Sequence, residues 1–336
     1  MLALAPALLG GCYLLQGARG QLALNARRVP IATLIAAPAT PAPLRSRLEL
    51  ATRIRDFASR ELGLPDNASY RSYADLGRPF VVWNVFAAPE LSLKPRESCF
   101  PIAGCVAYRG YFDETKARSF AAGLAKEGND VFVGGVAAYS TLGHFDDPVL
   151  NTMMGWSDVQ LAAIIFHELS HQLVYVAGDS SFNEGFASLV EDEGVRRWLL
   201  SAGRERDLET FARQRQRYLE FAGLLTAARE RLRQIYAGTE PAQRKRELKA
   251  AQLADLKSAY EKSKLAWNGA GPFDSWFQDG INNAHLASVA TYRECVPGLE
   301  SLLEQANGDL PAFYASVRDV AKLKPEERKQ RVCTTN

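Results

Sequence analysis

The sequence predicts an α+β fold that is mainly helical and contains a small mixed sheet. Three observations indicate this class. Apolar residues recur at helical spacing in several segments, two short segments rich in Val and Phe are typical of strands, and a long charged stretch in the second half has helical composition. The chain has 336 residues, 47% of them hydrophobic, which suffices for one large core or two modest ones.

The charge balance argues against a nucleic-acid partner. The chain carries 40 basic and 38 acidic residues, which leaves a formal net charge of +2. A charge this small creates no global field that would gather a polyanion, so we expect no nucleic acid among the partners. The longest uncharged apolar stretch is residues 1–16, and Pro6, Gly10 and Gly11 interrupt it before it reaches the roughly 18 residues that span a bilayer.

The N-terminus is typical of a secretory signal. Residues 1–11 (MLALAPALLGG) are apolar, and the sequence LGGC at residues 9–12 resembles a bacterial lipobox. The resemblance implies that residues 1–12 are a lipoprotein signal in which the thiol of Cys12 is acylated and the chain is cut before it. Tyr13 stands where an Asp would imply inner-membrane retention, so we expect an outer-membrane anchor facing the periplasm. An apolar terminus with a buried cysteine is the alternative.

The other four cysteines form an even set, as expected in a compartment where disulfides persist. Four cysteines allow three pairings. Cys99 and Cys105 lie at the ends of a short loop containing Pro and Gly that can bring them within disulfide range, so we select Cys99 with Cys105 and Cys295 with Cys333. Four free thiols are the alternative. A zinc site built from cysteines is disfavoured because the chain has no Cys-x-x-Cys spacing.

Two regions follow the predicted signal at residues 1–12. Residues 13–45 form an anchor-proximal segment and linker, because residues 30–43 (PIATLIAAPATPAP) suit an extended connector. Residues 46–336 form the main domain. Within it the patterns predict helices over 44–62 and 113–126, strands over 80–86 and 131–139, and a final helical region over 273–317.

A helical hairpin is predicted over residues 204–267. The stretch is densely charged, and its helical pattern breaks once, at Gly-Thr-Glu-Pro over residues 238–241. Its charges alternate in sign, which favours a solvated helical pair. A partner-binding arm, or a wall over an active site, is the functional alternative.

A metal-binding pattern lies on a predicted helix that begins with a capping box at Ser157. His167 and His171 in the sequence HELSH are four residues apart, so both imidazoles lie on one helix face, spaced to share one zinc ion. Glu168 lies beside that face, where it can accept a proton from an activated water and return it to the leaving amine. Apolar neighbours predict a buried helix, in which unpaired polar groups would be costly.

A catalytic zinc ion needs a third protein ligand. A second helix begins near Asn183-Glu184, so the chain can reverse and direct Glu184 back at the histidines. Glu191 lies about two turns further along the same face and is the competing ligand, or a hydrogen-bond partner of His167 or His171. We favour Glu184 because the start of the returning helix lies nearest the metal, and Asn183 is a further supporting candidate.

These residues carry a family resemblance. HELSH followed by NEGFA resembles the gluzincin metallopeptidases, whose third zinc ligand is a Glu in a similar context. A wider set of segments resembles a bacterial family of predicted aminopeptidases: CFPIAGCVAYRGYF, GGVAAYSTLGHFDDP, HELSHQ, FNEGFA and INNAHLASVATY. The resemblance implies a zincin-like catalytic core within residues 46–336, one Zn²⁺ per chain and a peptide substrate.

The gluzincin resemblance also suggests where substrate is held. It makes Val136–Phe145 an edge strand that pairs with the substrate backbone, in which Tyr139 or His144 could contact the substrate carbonyl. Tyr292 lies in a stretch that could pack over the zinc, and it is a candidate oxyanion stabiliser. Further candidates, each with a structural role as its alternative, are Tyr108, Arg109, Tyr111, Asn282, Asn283 and His285.

We therefore expect a lipid-anchored zinc metallopeptidase of the cell envelope, an aminopeptidase by resemblance, with Glu168 as general base. Two alternatives stay open. One is a zinc-dependent amidase that acts on cell-wall peptides. The other is a non-enzymatic envelope lipoprotein that zinc stabilises and whose helical hairpin binds a partner.

Overall fold

The computed structural model describes residues 5–100, 104–138, 140–267, 269, 271, 273–278, 280–289 and 295–333. It is mainly helical with small mixed sheets, as predicted. Within the described residues, none of the helices combines the length and the apolar character needed to cross a bilayer.

The helices, in chain order, are α1 Ala5–Asn25, α2 Ile31–Ala36, α3 Ala42–Arg60, α4 Glu114–Lys126, α5 Asp158–Leu173, α6 Ser180–Ser201, α7 Glu205–Ala237, α8 Ala242–Ala266, α9 Asp274–Gln278, α10 Asn283–Val289, α11 Val296–Gln305, α12 Leu310–Ala321 and α13 Pro325–Val332, with a 3₁₀ turn at Asn151–Met153. The strands are β1 Val29–Pro30, β2 Ser72–Ala74, β3 Val82–Pro89, β4 Ser98–Phe100, β5 Gly104–Val106, β6 Tyr108–Tyr111, β7 Asn129–Val136 and β8 Val149–Leu150.

The main sheet has β3 at its centre. β6 and β7 pair with it on either side, both antiparallel, in the order β6-β3-β7. β1, β2 and β8 form a second three-stranded sheet, in which β2 pairs with β8 in parallel, and β4 with β5 forms a hairpin. The predicted strands near residues 80–86 and 131–139 are therefore present as β3 and β7.

The largest apolar core surrounds the pair α5 and α6. Leu161, Phe166 and Phe186 from these helices are fully buried in it. Gly194 lets α6 approach its neighbours closely, because a Cβ atom there would lie 2.8 Å from both Leu62 Cδ1 and Phe166 Cδ2. This contact fixes α6 against α5, and with it the side chains that the two helices present to each other.

The hairpin predicted over 204–267 is formed by α7 and α8, with the break at 238–241 where it was expected. Its inner side chains form an apolar core of their own, to which α9 and α10 also contribute. Phe221 stacks on Phe273 with ring centroids 3.9 Å apart, and Tyr260 stacks on Phe277 at 4.8 Å. The hairpin is thus joined to the body rather than being an isolated solvated pair.

Residues 30–43 differ from the predicted extended connector. Residues 31–36 form α2, and Ile31 is 3% exposed within the main core. The Pro and Ala residues that suggested a connector instead flank two helices, since Pro30 precedes α2 and Pro41 precedes α3. Proline suits these positions because its missing N–H would be unpaired there in any case.

Two disulfides join Cys99 to Cys105 and Cys295 to Cys333. These are the pairs selected from the sequence. The first bond closes the β4-β5 hairpin, at the paired positions of the two strands. The second ties the start of α11 to the end of α13 and so fastens the C-terminal helices to one another.

Candidate metal centre

The helix that carries HELSH begins with the predicted capping box. The Ser157 hydroxyl accepts a hydrogen bond from the Gln160 backbone N–H (3.2 Å), and the Gln160 side chain accepts one from the Ser157 backbone N–H (3.0 Å). This cap fixes the start of α5 and therefore its rotation. Ten residues later, His167 and His171 lie on the face of α5 that meets α6.

Three side chains converge between α5 and α6. The Nε2 atoms of His167 and His171 are 3.2 Å apart. From the start of α6, Glu184 places one carboxylate oxygen 3.4 Å from the His167 Nε2 atom and the other 3.8 Å from the His171 Nε2 atom. The possible ligand atoms of the three residues all lie within 4.8 Å of one another, so this cluster could hold a metal ion.

Asn183 and Asp179 fix the turn that delivers Glu184. Asp179 caps α6 by accepting a hydrogen bond from the Phe182 backbone N–H (3.1 Å). The buried Asn183 amide accepts from the Val176 N–H and donates to the Val176 carbonyl, both at 2.8 Å. Asn183 thus closes the α5-α6 loop and orients the residue that follows it.

Glu191 lies on the far side of His167 from the three-residue cluster. One of its carboxylate oxygens is 2.9 Å from the Nδ1 atom of His167. A carboxylate at this nitrogen fixes the ring orientation and favours the tautomer whose Nε2 lone pair is free for a metal. Of the roles considered from the sequence, this geometry corresponds to a hydrogen-bond partner of His167.

The two histidines have opposite protonation preferences. Burial, with a further contribution from the neighbouring His167, lowers the pKa of His171 to about 4, so the ring is neutral. Burial also opposes charge on His167, but hydrogen bonds with Glu184 and Glu191 outweigh it and hold the pKa well above its ordinary value. Burial raises the pKa of Glu184, yet its hydrogen bond with His167 and its electrostatic interactions with the two histidines hold it below the ordinary value.

Glu168 is the buried acid of the site. Glu168 is 7% exposed. Burial raises the pKa of its carboxyl group to about 7, although the neighbouring His167 acts to lower it. A carboxyl group with a pKa near neutrality can both accept and donate a proton at physiological pH. The position directly after His167 therefore holds a group suited to proton transfer.

Two tyrosines border a small cavity that ends at Glu184. Tyr108, at the start of β6, and Tyr175, in the loop after α5, both line it. Burial raises the pKa of both, and so does the charge of Glu184, so their hydroxyls stay protonated and can donate hydrogen bonds. Tyr108 was among the sequence candidates, whereas Tyr175 was not. Its signal in the sequence is its position four residues after His171, just beyond the end of α5, and the two rings are 6.3 Å apart.

The predicted substrate-pairing strand over Val136–Phe145 is wrong beyond its first residue, because β7 ends at Val136. A turn follows. Leu142 and Gly143 have positive φ, and the Asp147 carboxylate accepts a hydrogen bond from the Thr141 backbone N–H (2.9 Å). The described residues after 136 therefore fold away from an extended path, and His144 is exposed on this turn. Tyr139 and Tyr292, the other catalytic candidates, lie outside the described residues.

The remaining candidates have structural roles. Asn283 donates to the carbonyls of Pro89, Glu90 and Ser92 at 2.9 to 3.2 Å, which ties α10 to the end of β3. His285 bonds to the Asn282 side chain (3.0 Å), and its ring packs on Phe132 with centroids 4.1 Å apart. Arg109 covers the ring of Tyr13, and Tyr111 packs against the same ring, so both belong to the contact between α1 and β6.

The fold and the site together define a mainly helical α+β protein with a His-His-Glu cluster that could hold a metal ion and a buried acid beside it. The chain belongs to the family described as "Putative aminopeptidase", whose family model matches residues 12–332. No curated protein and no solved structure matches the chain.

Proposed function

We propose that this protein is a zinc-dependent metallopeptidase with one Zn²⁺ per chain, held by His167, His171 and Glu184. The observation that carries the proposal is the convergence of these three donors beside the buried Glu168. The family description supports peptides as the substrate class and an aminopeptidase as the activity.

The donor set fits zinc. Two imidazoles and one carboxylate are a common protein ligand set for catalytic zinc, with bonds of roughly 2.0 to 2.2 Å. At tetrahedral angles such bonds separate the ligand atoms by about 3.3 Å. The separations of 3.2, 3.4 and 3.8 Å between the Nε2 and carboxylate atoms are close to this value. The carboxylate of Glu191 behind His167 is the partner that metal-binding histidines usually have.

Each residue then has a defined task. Zinc, when bound, supplies Lewis acidity that activates a water molecule and polarises the scissile carbonyl. Glu168 accepts the proton of that water and passes it to the leaving amine. Tyr108 and Tyr175 are placed to donate a hydrogen bond to the substrate beside Glu184, the kind of contact that stabilises an oxyanion.

Zinc dependence is tested by elemental analysis. The purified chain should contain about one zinc per chain, and His171→Ala should lose most of it. Glu304→Ala, which removes an exposed carboxylate from α11, is the control and should retain the metal. Full zinc retention in the His171 variant would contradict the ligand assignment.

The chemistry is tested with Glu168→Gln, which is nearly isosteric but cannot accept a proton. The variant should keep zinc and fold, yet lose between about 10² and 10⁴ of the hydrolysis rate on peptide libraries. Free and acetylated N-termini should be compared. Cleavage confined to free N-termini supports an aminopeptidase, equal cleavage of both an endopeptidase, and cleavage of cell-wall peptides alone an amidase. A zinc-loaded wild type that cleaves none of them would favour the scaffold alternative.

We also propose that the protein is lipid-anchored at Cys12 in the bacterial outer membrane and faces the periplasm. The LGGC motif supports acylation, the family match begins at Cys12, and two disulfides suit an oxidising compartment. Cys12→Ser should release the chain from the membrane fraction of cells after a high-salt wash, which removes electrostatic attachment, whereas unchanged fractionation after that wash would argue against acylation.

A further inference from the structure

The outward face of α1 combines apolar and basic side chains. It consists of the exposed residues of the helix and the turn after it: Leu15, Ala18, Arg19, Leu22, Ala23, Ala26 and Arg27. Leu15 is 49% exposed and Leu22 is 66% exposed. The two leucines are seven residues apart and therefore lie on one side of the helix, and α1 contains no acidic residue.

The opposite face of α1 is firmly attached to the body. The Tyr13 hydroxyl and the Gln16 amide both donate to the Gly110 carbonyl of β6, at 2.9 and 3.3 Å. Gly20 is required by close approach, because a Cβ atom there would overlap the ring of Phe112. Leu24 is buried in the main core. These contacts hold the helix at a fixed rotation, so the leucines remain directed outward.

A basic groove of about 550 Å³ runs beside this face. Arg19 and Arg27 line it from α1 and the following turn, and Arg78 and Lys116 line it from the body, while Asp113 is the acidic residue in its lining. The Asp113 carboxylate caps α4 through the Lys116 backbone N–H. The groove therefore presents an excess of positive charge next to exposed leucines.

We propose that the outward face of α1 and its basic groove dock on an anionic lipid bilayer. α1 supplies Arg19 and the turn after it supplies Arg27, while Arg78 and Lys116 come from the body, so the exposed leucines lie beside four cations. Such a surface can place apolar side chains at the acyl boundary and cations at lipid phosphate groups. The same helix contains Cys12, so the surface adjoins the proposed acylation site.

The test uses the full chain with Cys12→Ser, which cannot be acylated. Its readout is vesicle binding, which does not depend on peptidase activity. Binding is measured by co-sedimentation with vesicles of neutral phosphatidylcholine and with vesicles containing 30 mol% phosphatidylglycerol, both in low salt. Residues 1–11 carry no charged side chain, and the charge of the N-terminal amine is common to every variant compared. We expect tighter binding to the anionic vesicles and a loss of that preference in high salt.

Two double variants, each with a matched control, test whether this surface is responsible for vesicle binding. Arg19→Gln with Lys116→Gln should weaken binding to anionic vesicles by about 25-fold, at roughly fivefold per cation, and leave binding to neutral vesicles unchanged. Arg213→Gln with Lys322→Gln removes the same charge from exposed positions elsewhere and should change binding less than about twofold. Leu15→Gln with Leu22→Gln should weaken binding to both vesicle types, unlike Leu200→Gln with Leu265→Gln.

Three results would overturn the proposal. The first is equal binding of the Cys12→Ser chain to anionic and neutral vesicles. The second is an equal loss in the control pairs, which would indicate nonspecific charge or stickiness. The third is a self-associating chain that the Leu15/Leu22 change converts to a monomer, which would make the face an interface between copies. Circular dichroism and zinc content of each variant verify that its fold is retained, and peptide hydrolysis is not a readout.

Discussion

Removal of the Glu191 carboxylate tests how the His167 ring is oriented, because it leaves the three possible metal ligands themselves unchanged. Glu191 contacts the Nδ1 atom of His167 at 2.9 Å, with the side chains 26% and 13% exposed, so the contact is largely shielded from water. Glu191→Ala frees the imidazole to rotate and to change tautomer. Loss of such a partner typically weakens metal affinity 10- to 100-fold, which corresponds to about 1.4 to 2.7 kcal/mol.

The geometry also predicts an order among variants. Glu184→Ala removes one of the three converging donors and should weaken zinc binding more than Glu191→Ala. Glu191→Gln keeps an oxygen that accepts from the Nδ1–H group, so its loss should be smaller than that of the Ala variant. Glu304→Ala, which removes an exposed carboxylate from α11, should bind as the wild type does.

Affinity can be measured by titrating the zinc-loaded chain with a chelator of known affinity and following released metal. Thermal unfolding of the metal-free variants, compared with the metal-free wild type, separates lost affinity from lost fold. If Glu191→Ala loosens zinc more than Glu184→Ala does, Glu191 is the ligand and the roles argued from the 2.9, 3.4 and 3.8 Å contacts are reversed.

Three further predictions follow from other parts of the structure. Tyr108→Phe or Tyr175→Phe should lower kcat about 10²-fold or more if that hydroxyl stabilises the oxyanion, and unchanged kcat in both would exclude the pair. Gly194→Ala should lower the free energy of unfolding in urea by about 1 to 3 kcal/mol, because its Cβ would lie 2.8 Å from Leu62 and Phe166. Gly223→Ala in α7 has open space around it and should be neutral or stabilising, so equal effects of the two changes would refute the packing argument. Burial raises the pKa of Asp147 to about 6, so the wild type loses stability as pH rises through 6. The free energy of unfolding of Asp147→Asn, relative to that of the wild type, should therefore be about 1.4 kcal/mol higher at pH 8 than at pH 5. This difference would vanish if Asp147 titrated normally.

The helical parts of the structure were predictable because their signals are local. The capping box at Ser157 and the four-residue spacing of His167 and His171 depend on one helical turn, and both appear in α5 as expected. The hairpin break at residues 238–241 is equally local. For Glu191 the spacing left two roles, a metal ligand or a hydrogen-bond partner of a histidine. The packing of α5 on α6, which brings Glu191 to the Nδ1 atom of His167, was needed to distinguish them.

The failures have a common physical cause, since each depends on a core or loop contact that helix and strand periodicity does not reveal. Proline and alanine suggested an extended connector at residues 30–43, but burial of Ile31 in the main core stabilises a short helix there. A strand was expected to continue past Val136, but the chain forms a turn there, in which the Asp147 carboxylate accepts a hydrogen bond from the Thr141 backbone N–H. Tyr175 was overlooked because α5 ends at Leu173, and its position beside Glu184 depends on the loop that Asn183 closes.

Helix α1 and the cavity at the candidate metal centre both contact one short strand, β6. Tyr13 of α1 bonds to Gly110 of β6, and Tyr108, two residues earlier in the same strand, lines the cavity at Glu184. Two residues of strand span about 7 Å, so a force that displaces α1 acts close to the cavity wall. If α1 docks on a bilayer, β6 is held between that surface and the metal centre. The catalytic effect of Tyr108→Phe should then be measured on free and on vesicle-bound protein, because only the bound form fixes both ends of this connection.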